Sequence, residues 1–322
     1  MHLYTPIVAL ALALTGSITL HAQSYPSRPI MLMVPAPAGG PTDIVGRVIG
    51  QMLVEPIGQQ VIIENRGGAG NMIGTGVVAK AKPDGYSLVV GSPSAFSISP
   101  NLYKSVPYHP VNDFSPIGMI ARTATVLVAH PSLPVRTVKD TVALAKSRPG
   151  DFNFASGGNG TLSHLTMELF RINTGIKVLH VPYKGSGPAT TDLLAGEMHL
   201  MFHILPLSVP HVRSQKLRAL AATSLERSPL LPDVPTMIQA GLKDFEVTTW
   251  YGLLGPAGLP RDIIARLNAA LGAALKLPAN IKRLNDNGLD PSYSTAESLG
   301  NTVASELTRW AKVVRAANIT VQ

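Results

Sequence analysis

Between Ile30 and Leu53 the chain passes from an apolar run through a Gly/Pro loop into a helical pattern, and this stretch constrains the fold more than any other. Ile30 to Val34 is a continuous apolar run of the kind a buried parallel strand carries. It stops at Pro35 and Pro37, which cannot donate to a sheet ladder. Gly39, Gly40 and Pro41 supply the turn, and Thr42 or Asp43 caps a helix in which Ile44, Val45, Val48, Ile49, Met52 and Leu53 recur at helical spacing. A loop of this kind leaves unpaired N–H groups at a helix N-terminus, where the macrodipole is positive, and so offers a seat to a small anion. Any α/β protein has such turns; what sets this chain apart is their repetition.

Gln60 to Glu64 reads as a second strand and runs into the Gly-rich Asn65 to Gly70, and Tyr86 to Gly91 is a third, followed by a loop of small residues from Ser92 to Ala95. Three strands thus end in loops along one sheet edge, where open α/β folds place ligands. Residues 100–116 are rich in Pro, Tyr and Asn and are expected to be irregular. The device returns at Phe152 to Ala155 with Ser156 to Thr161, and at Val178 to Pro182 with Tyr183 to Pro188, whose helix Ala189 to Ala195 ends at Gly196. Glu197 to Phe202 alternates as a half-buried strand should, with His203 at its end. Leu217 to Thr223 is a short strand, Leu231 to Gly241 a Pro-flanked helical segment, and Phe245 to Gly255 an extended return crossing. The tail is helical, its last helix placing Leu299, Val303, Leu307, Trp310 and Val314 at spacings of three and four. The expected organisation is α/β, with lobe 1 formed by 23–124 plus 250–322 and lobe 2 by 125–249. Two crossing strands, near Val126 and Trp250, join the lobes and leave a ligand cleft between them.

Met1 to Ala22 carries no Lys, Arg, Asp or Glu, its apolar part is too short to span a bilayer, and small Ala22 suits a cleavage point. These residues are expected to be a secretory signal, with the mature protein beginning near Gln23. The 322 residues contain no Cys, which excludes a disulfide framework. The formal charge of +8 is spread without a Lys/Arg cluster and with only 5% aromatics, so it fits attraction of small anions better than nucleic acid.

Six fragments, taken in order, resemble one family: VPAPAGGPTD (Val34 to Asp43), ENRGGAG (Glu64 to Gly70), PDGYSL (Pro83 to Leu88), SGGNGTLSHL (Ser156 to Leu165), VPYKGSGPATTDLLAGE (Val181 to Glu197) and RSPLLPDVPT (Arg227 to Thr236). The chain is similar to the tripartite tricarboxylate transporter receptors, also called Bug proteins, which are extracytoplasmic solute-binding proteins. The resemblance implies a type II periplasmic-binding-protein fold. It further implies a small carboxylate gripped mostly by backbone N–H groups and delivered to the membrane permease subunits of a tripartite tricarboxylate transporter. It also implies a periplasmic location, a monomer, no cofactor and no enzymatic activity. By position it assigns ligand contacts to Pro37, Ala38, Gly39, Gly40, Pro41, Thr42 and Asp43 in the first loop, and to Ser92, Ser94 and Ala95 after the third strand. In the second half it assigns Ser156, Gly157, Asn159, Gly160, Thr161 and His164, then Tyr183, Lys184, Gly185, Gly187 and Pro188. The chain departs from the family at Ala36, where an aromatic is usual, at Asn71, and at His203, where the family has Asp. A His at a strand end facing the cleft suits an extra anionic or acceptor group on the ligand, so His203 completes the candidate set.

The rival reading is an exported hydrolase with Ser156, Ser163 or Ser186 as nucleophile and His164 or His203 as base. It lacks a G-x-S-x-G elbow and an orienting acid. The nine His show no H-E-x-x-H or comparable metal-binding pair, and no loop satisfies G-x-x-x-x-G-K-[ST] or G-x-G-x-x-G. A receptor that signals to a sensor protein stays open beside one that feeds a permease, because both need the same closure.

Overall fold

The first apolar run forms strand β1 (Ile30–Val34), four of its five residues are buried, and helix α1 (Pro41–Ile57) follows. This computed structural model describes residues 25–316, so the expected signal and its cut after Ala22 lie outside the described residues. The next units are β2 (Val61–Asn65) with α2 (Met72–Ala79), and β3 (Ser87–Gly91) with the short α3 (Ser99–Leu102). Strand β4 (Phe114–Ala129) leads to α4 (Val138–Ser147). Then come β5 (Asn153–Ser156), α5 (Leu162–Thr174), β6 (Leu179–Pro182), α6 (Ser186–Ala195), β7 (Leu200–Ile204), α7 (Leu205–Arg213) and β8 (Arg218–Ala222). Strand β9 (Thr248–Pro256) returns, and α8 (Arg261–Lys276), α9 (Pro278–Asp286), β10 (Asp290–Pro291) and α10 (Ala296–Ala316) complete the described chain.

Strands β2, β1 and β3 are parallel, with Leu32 opposite both Ile63 and Leu88. Antiparallel β9 lies beside β3 and β4, pairing Val90 with Leu253 and Trp250 with Arg122. The far half of β4 pairs antiparallel with β7 and β8, so Val126 faces His203 on one side and Ala222 on the other. Parallel β5 and β6 extend the order to β2-β1-β3-β9-β4-β7-β5-β6. The β-loop-α units therefore fall into two groups joined to opposite ends of β4, the first through β9 and the second through β7. The sheets and helices form an α/β, two-lobe architecture.

Helices α1 and α8 cover one face of the first group, joining Leu32, Ile49, Leu267 and Leu271 in one core. On its other face Met33, Phe96 and Trp250 pack with Leu299 and Val303 of α10. The last turns of α10 belong elsewhere: Trp310 and Val314 join the core of Phe154, Phe170, Phe202 and Phe245 in the second group. Arg309 of α10 also donates to the Glu246 carbonyl at 2.6 Å. The last helix thus serves both groups instead of keeping to one.

Two local expectations give way to tertiary context. The residues after β3 are not an open loop: Ser94 to Ile98 form a wide, buried helical turn in which the Ser99 N–H reaches the Ser94 carbonyl. Leu231 to Gly241 is not helical. Pro232 and Pro235 interrupt it, and the backbone bridges back to β8 through Ala222 N–H to Pro235 O at 2.8 Å and Met237 N–H to Ala222 O at 2.7 Å. The residues after β7 form α7, with Pro206 tolerated in its first turn. Truncating Trp310 to Ala empties the site where α10 locks into the second group. Urea denaturation of this variant should show a loss of about 3–5 kcal/mol.

Candidate functional site

A cavity of about 680 Å³ opens where the two groups of units meet, lined by the loops that follow β1, β2, β3, β5 and β6. Pro37 to Thr42, Ser92 and Ser94 line it from the first group, and Gly157, Asn159, Thr161, Tyr183 to Gly185, Gly187 and Pro188 from the second. The β5 and β6 loops are packed tightly together. Gly158 has φ +118°, and a Cβ there would meet the Tyr183 carbonyl oxygen at 2.8 Å, so only Gly suits the position. Across the mouth, a Cβ on Gly185 would lie 3.8 Å from Cγ of Pro37.

The helix ends at this cavity carry no side-chain caps. The N-cap residues of α1, α5 and α6 are Gly40, Thr161 and Gly185, and none caps its helix with a side-chain hydrogen bond. The first expected loop therefore caps at Gly40, ahead of Thr42 and Asp43. Thr42 in α1, Leu162 and Ser163 in α5, and Ser186 and Gly187 in α6 keep N–H groups with no partner among the described residues. Pro41 and Pro188, which have no N–H, occupy neighbouring first-turn positions. Lys184 is the single charged residue of the lining, and no carboxylate faces the cavity. Converging free amides, positive dipole ends and one cation make this a site for an anion.

Six of the expected contacts stand behind this lining. The buried Asp43 carboxylate accepts from Gly39 N–H at 2.8 Å, Arg47 Nε at 2.9 Å and Asn65 Nδ2 at 2.9 Å. Burial works to raise its pKa, but the bonds from Arg47, Gly39 and Asn65 outweigh it and hold the carboxyl below its ordinary range. Asp43 thus fixes the shape of the first loop. Ser156 is fully buried, its Oγ 2.6 Å from Nε2 of His180 and within 3.1 Å of the Gly158 N–H. The His180 ring stacks on Phe154 on one side and on His164 on the other, the latter at 4.0 Å between centroids. His164 Nδ1 in turn accepts from the Gly160 N–H at 3.4 Å. Ser156, Gly160 and His164 therefore brace the β5 loop from behind. Ala95 is fully buried in the core of the first group, inside the helical turn after β3.

His203 does not face the cleft. Its Nδ1 lies 2.8 Å from Ser208 Oγ and its Nε2 3.0 Å from Thr190 Oγ1, so the ring is consumed between α6 and α7. The lining also includes residues outside the assigned contacts: Gly68 to Asn71, Thr125, Met201, Thr249 and Tyr251 among them. The first of these follow a strand and a Gly run, a signal present in the sequence. The others reach the cavity through pairing of β4, β7 and β9, which no local pattern reveals.

The arrangement also bears on the hydrolase reading. Ser163 Oγ accepts from Gly157 N–H at 3.1 Å, and neither it nor Ser186 bonds to His164 or His203. Ser156 has an imidazole partner, His180, but lies sealed behind the loop.

The description tripartite tricarboxylate transporter family receptor matches residues 45–319. The chain belongs to that family. The receptor is 38% identical over 311 residues to the protein BugT of Bordetella pertussis, covering 96% of this chain and 95% of that one. A solved R. palustris protein with adipate superposes with a TM-score of 0.88 at 35% identity, over 92% of the receptor and 99% of that chain. MatC from Rhodopseudomonas palustris with bound malate gives 0.84 at 33% identity, over 90% and 100%. The family is one of substrate-binding receptors and not of enzymes. None of the described helices is long and apolar enough to cross a membrane.

The buried imidazoles make receptor stability depend on pH. Burial, then the charge of Arg171, lowers the His164 pKa to about 4. Burial, then His164 and Arg171, lowers that of His180 to about 3. Burial, then His211, lowers that of His203 to about 4. Below about pH 6.5 the unfolded chain therefore binds protons that the folded chain refuses. Stability is complete above that value and falls as the pH drops toward 4 and then 3, by up to about 1.4 kcal/mol per pH unit for each ring. Urea titrations at pH 7, 5.5 and 4.5 should show this slope, and His203→Asn should flatten it.

Proposed function

We propose that the receptor captures a small carboxylate carrying no positive charge and delivers it to the permease subunits of a tripartite tricarboxylate transporter. The observation that carries this reading is the set of free N–H groups at the starts of α1, α5 and α6, turned on a cavity that contains Lys184 and no acid. Three or four hydrogen bonds to a charged group, at about 1.5–3 kcal/mol each, are enough for the roughly 8 kcal/mol of micromolar binding. The relatives solved with adipate and malate support the ligand class. An α-ammonium group would meet the positive ends of these helices and find no carboxylate partner in the lining, which argues against amino acids.

In this reading the protein works in the periplasm as a monomer once Met1 to Ala22 is removed. Residues 23–124 with 250–322 act as one lobe and 125–249 as the other, with the last turns of α10 reaching across onto the second. The near contact of Gly185 with Pro37 supports closure of the lobes over the bound acid. The test is a thermal-shift and calorimetric panel of mono-, di- and tricarboxylates on the chain from Gln23. At a hundredfold excess over Kd a true ligand should add about 2.7 kcal/mol of stability. Aspartate should bind at least about tenfold more weakly than succinate, the gap expected of one unpaired charge. Equal binding of the two, or no shift with any acid, would overturn the reading.

A further inference from the structure

The floor of the cavity, where β3, β4 and β9 meet, presents hydroxyl-bearing side chains in place of helix ends. Strand β3 runs antiparallel to β9 with Gly91 opposite Gly252, and Ser92 and Tyr251 are the residues one step beyond that last pair. Thr249 lies two residues from Tyr251 and thus on the same face of β9. All three residues line the cavity, and all three are at least 95% buried, at 3%, 4% and 2% exposure for Ser92, Thr249 and Tyr251.

Their hydroxyls are also without partners. Ser92 Oγ and Thr249 Oγ1 are buried with no hydrogen bond, and the Tyr251 hydroxyl bonds to no described residue. Several other hydroxyls of the lining are satisfied within the protein. Thr125 pairs with Thr223 at 3.0 Å, Thr161 donates to the Gly158 carbonyl at 2.7 Å, and Ser163 receives the Gly157 N–H. Trp250 Nε1, Ser97 Oγ and Arg171 Nε are likewise unpartnered, but none of these residues reaches the cavity. A buried polar group left unpaired destabilises the fold and calls for a specific cause. Two such groups on one cavity floor, next to a third free hydroxyl, share a single cause if a ligand supplies the partner.

The chemistry of that partner follows from what surrounds it. Lys184, the one charged residue of the lining, belongs to the loop after β6 and not to the floor. A second carboxylate pressed onto the floor would be desolvated with no cation to offset it, and an ammonium would meet no anion. An uncharged oxygen carries neither cost. Ser and Thr hydroxyls both donate and accept and the Tyr phenol donates, so together they satisfy a ligand hydroxyl in both directions or a keto oxygen from several. We infer that, within the carboxylate-receptor reading above, Ser92, Thr249 and Tyr251 form a second, uncharged subsite that selects acids bearing a hydroxyl or keto oxygen.

The test is calorimetry on the chain from Gln23 with acids matched but for one hydroxyl: malate against succinate, and 2-hydroxyglutarate against glutarate. The wild-type protein should prefer the hydroxylated member of each pair by at least about tenfold, as a site built to bond a hydroxyl discriminates against its absence. Tyr251→Phe keeps the ring that packs in the core, and the Ser92→Ala/Thr249→Val pair keeps the volume of the floor. In both, the preference should fall toward one, with circular dichroism and the melting midpoint confirming the fold. Thr249→Ser, tested alone, should restore the preference that Thr249→Val loses. Equal affinity for both members in the wild type would overturn the subsite while leaving the carboxylate seat intact. So would variants that weaken both members alike with the ratio unchanged. Failure of every acid to bind would instead overturn the seat, and the subsite with it.

Discussion

Along Phe114–Ala129 a single strand holds two successive sets of hydrogen-bonding partners, β9 and β10 first and β7 and β8 afterwards. Backbone groups must be paired when they are buried, and β4 is buried along nearly its whole length, so neither set is free to detach. Each set carries its own parallel β-loop-α units, and the parallel strands direct their carboxyl ends to the same place. The cavity is the space those ends enclose. Without the shared strand there would be two small sheets with anion-friendly turns and no common site between them.

Two kinds of residue then build the site, and they act at different depths. The innermost layer is main chain: glycines, prolines and first-turn amides that supply direction and partial charge. Behind it stands a layer of ionisable and hydroxyl side chains that never reach the cavity. Asp43 clasps the first loop to Arg47 and Asn65, and Ser156, His180 and His164 buttress the β5 loop in a stacked row. Low local dielectric strengthens these bonds and keeps the imidazoles neutral. A flexible Gly-rich loop holds one shape because the residues behind it have lost the freedom to rearrange.

Local features of the sequence carried a large part of this. The strand, Gly loop and helix succession is encoded within about ten residues at a time, and where it reads clearly, as at Ile30 to Leu53, the structure follows it closely. The direction of a side chain is not encoded in that way. His203 lies next to the end of its strand, close to where the sequence puts it, yet its ring is claimed by Thr190 and Ser208 on flanking helices. Leu231 to Gly241 has helical spacing, but its prolines and its bridge to β8 decide otherwise. Thr249 and Tyr251 lie far along the chain from the Gly loops, and only the antiparallel pairing of β9 with β3 and β4 brings them to the cavity. What stayed hidden in the sequence is what depends on non-local register.

Because the anion seats are made of main-chain amides, they survive most amino-acid replacements. A substitution at Thr42, Ser163 or Ser186 alters a side chain while the N–H it hangs from stays in place. The floor has no such protection, since its hydrogen-bonding groups are side chains and each is one codon change from a different chemistry. Replacements at a few floor positions would therefore change the side-chain groups the cavity presents and leave the free amides of α1, α5 and α6 in place. Variability of the cavity and constancy of the fold are, in this architecture, stored in different atoms.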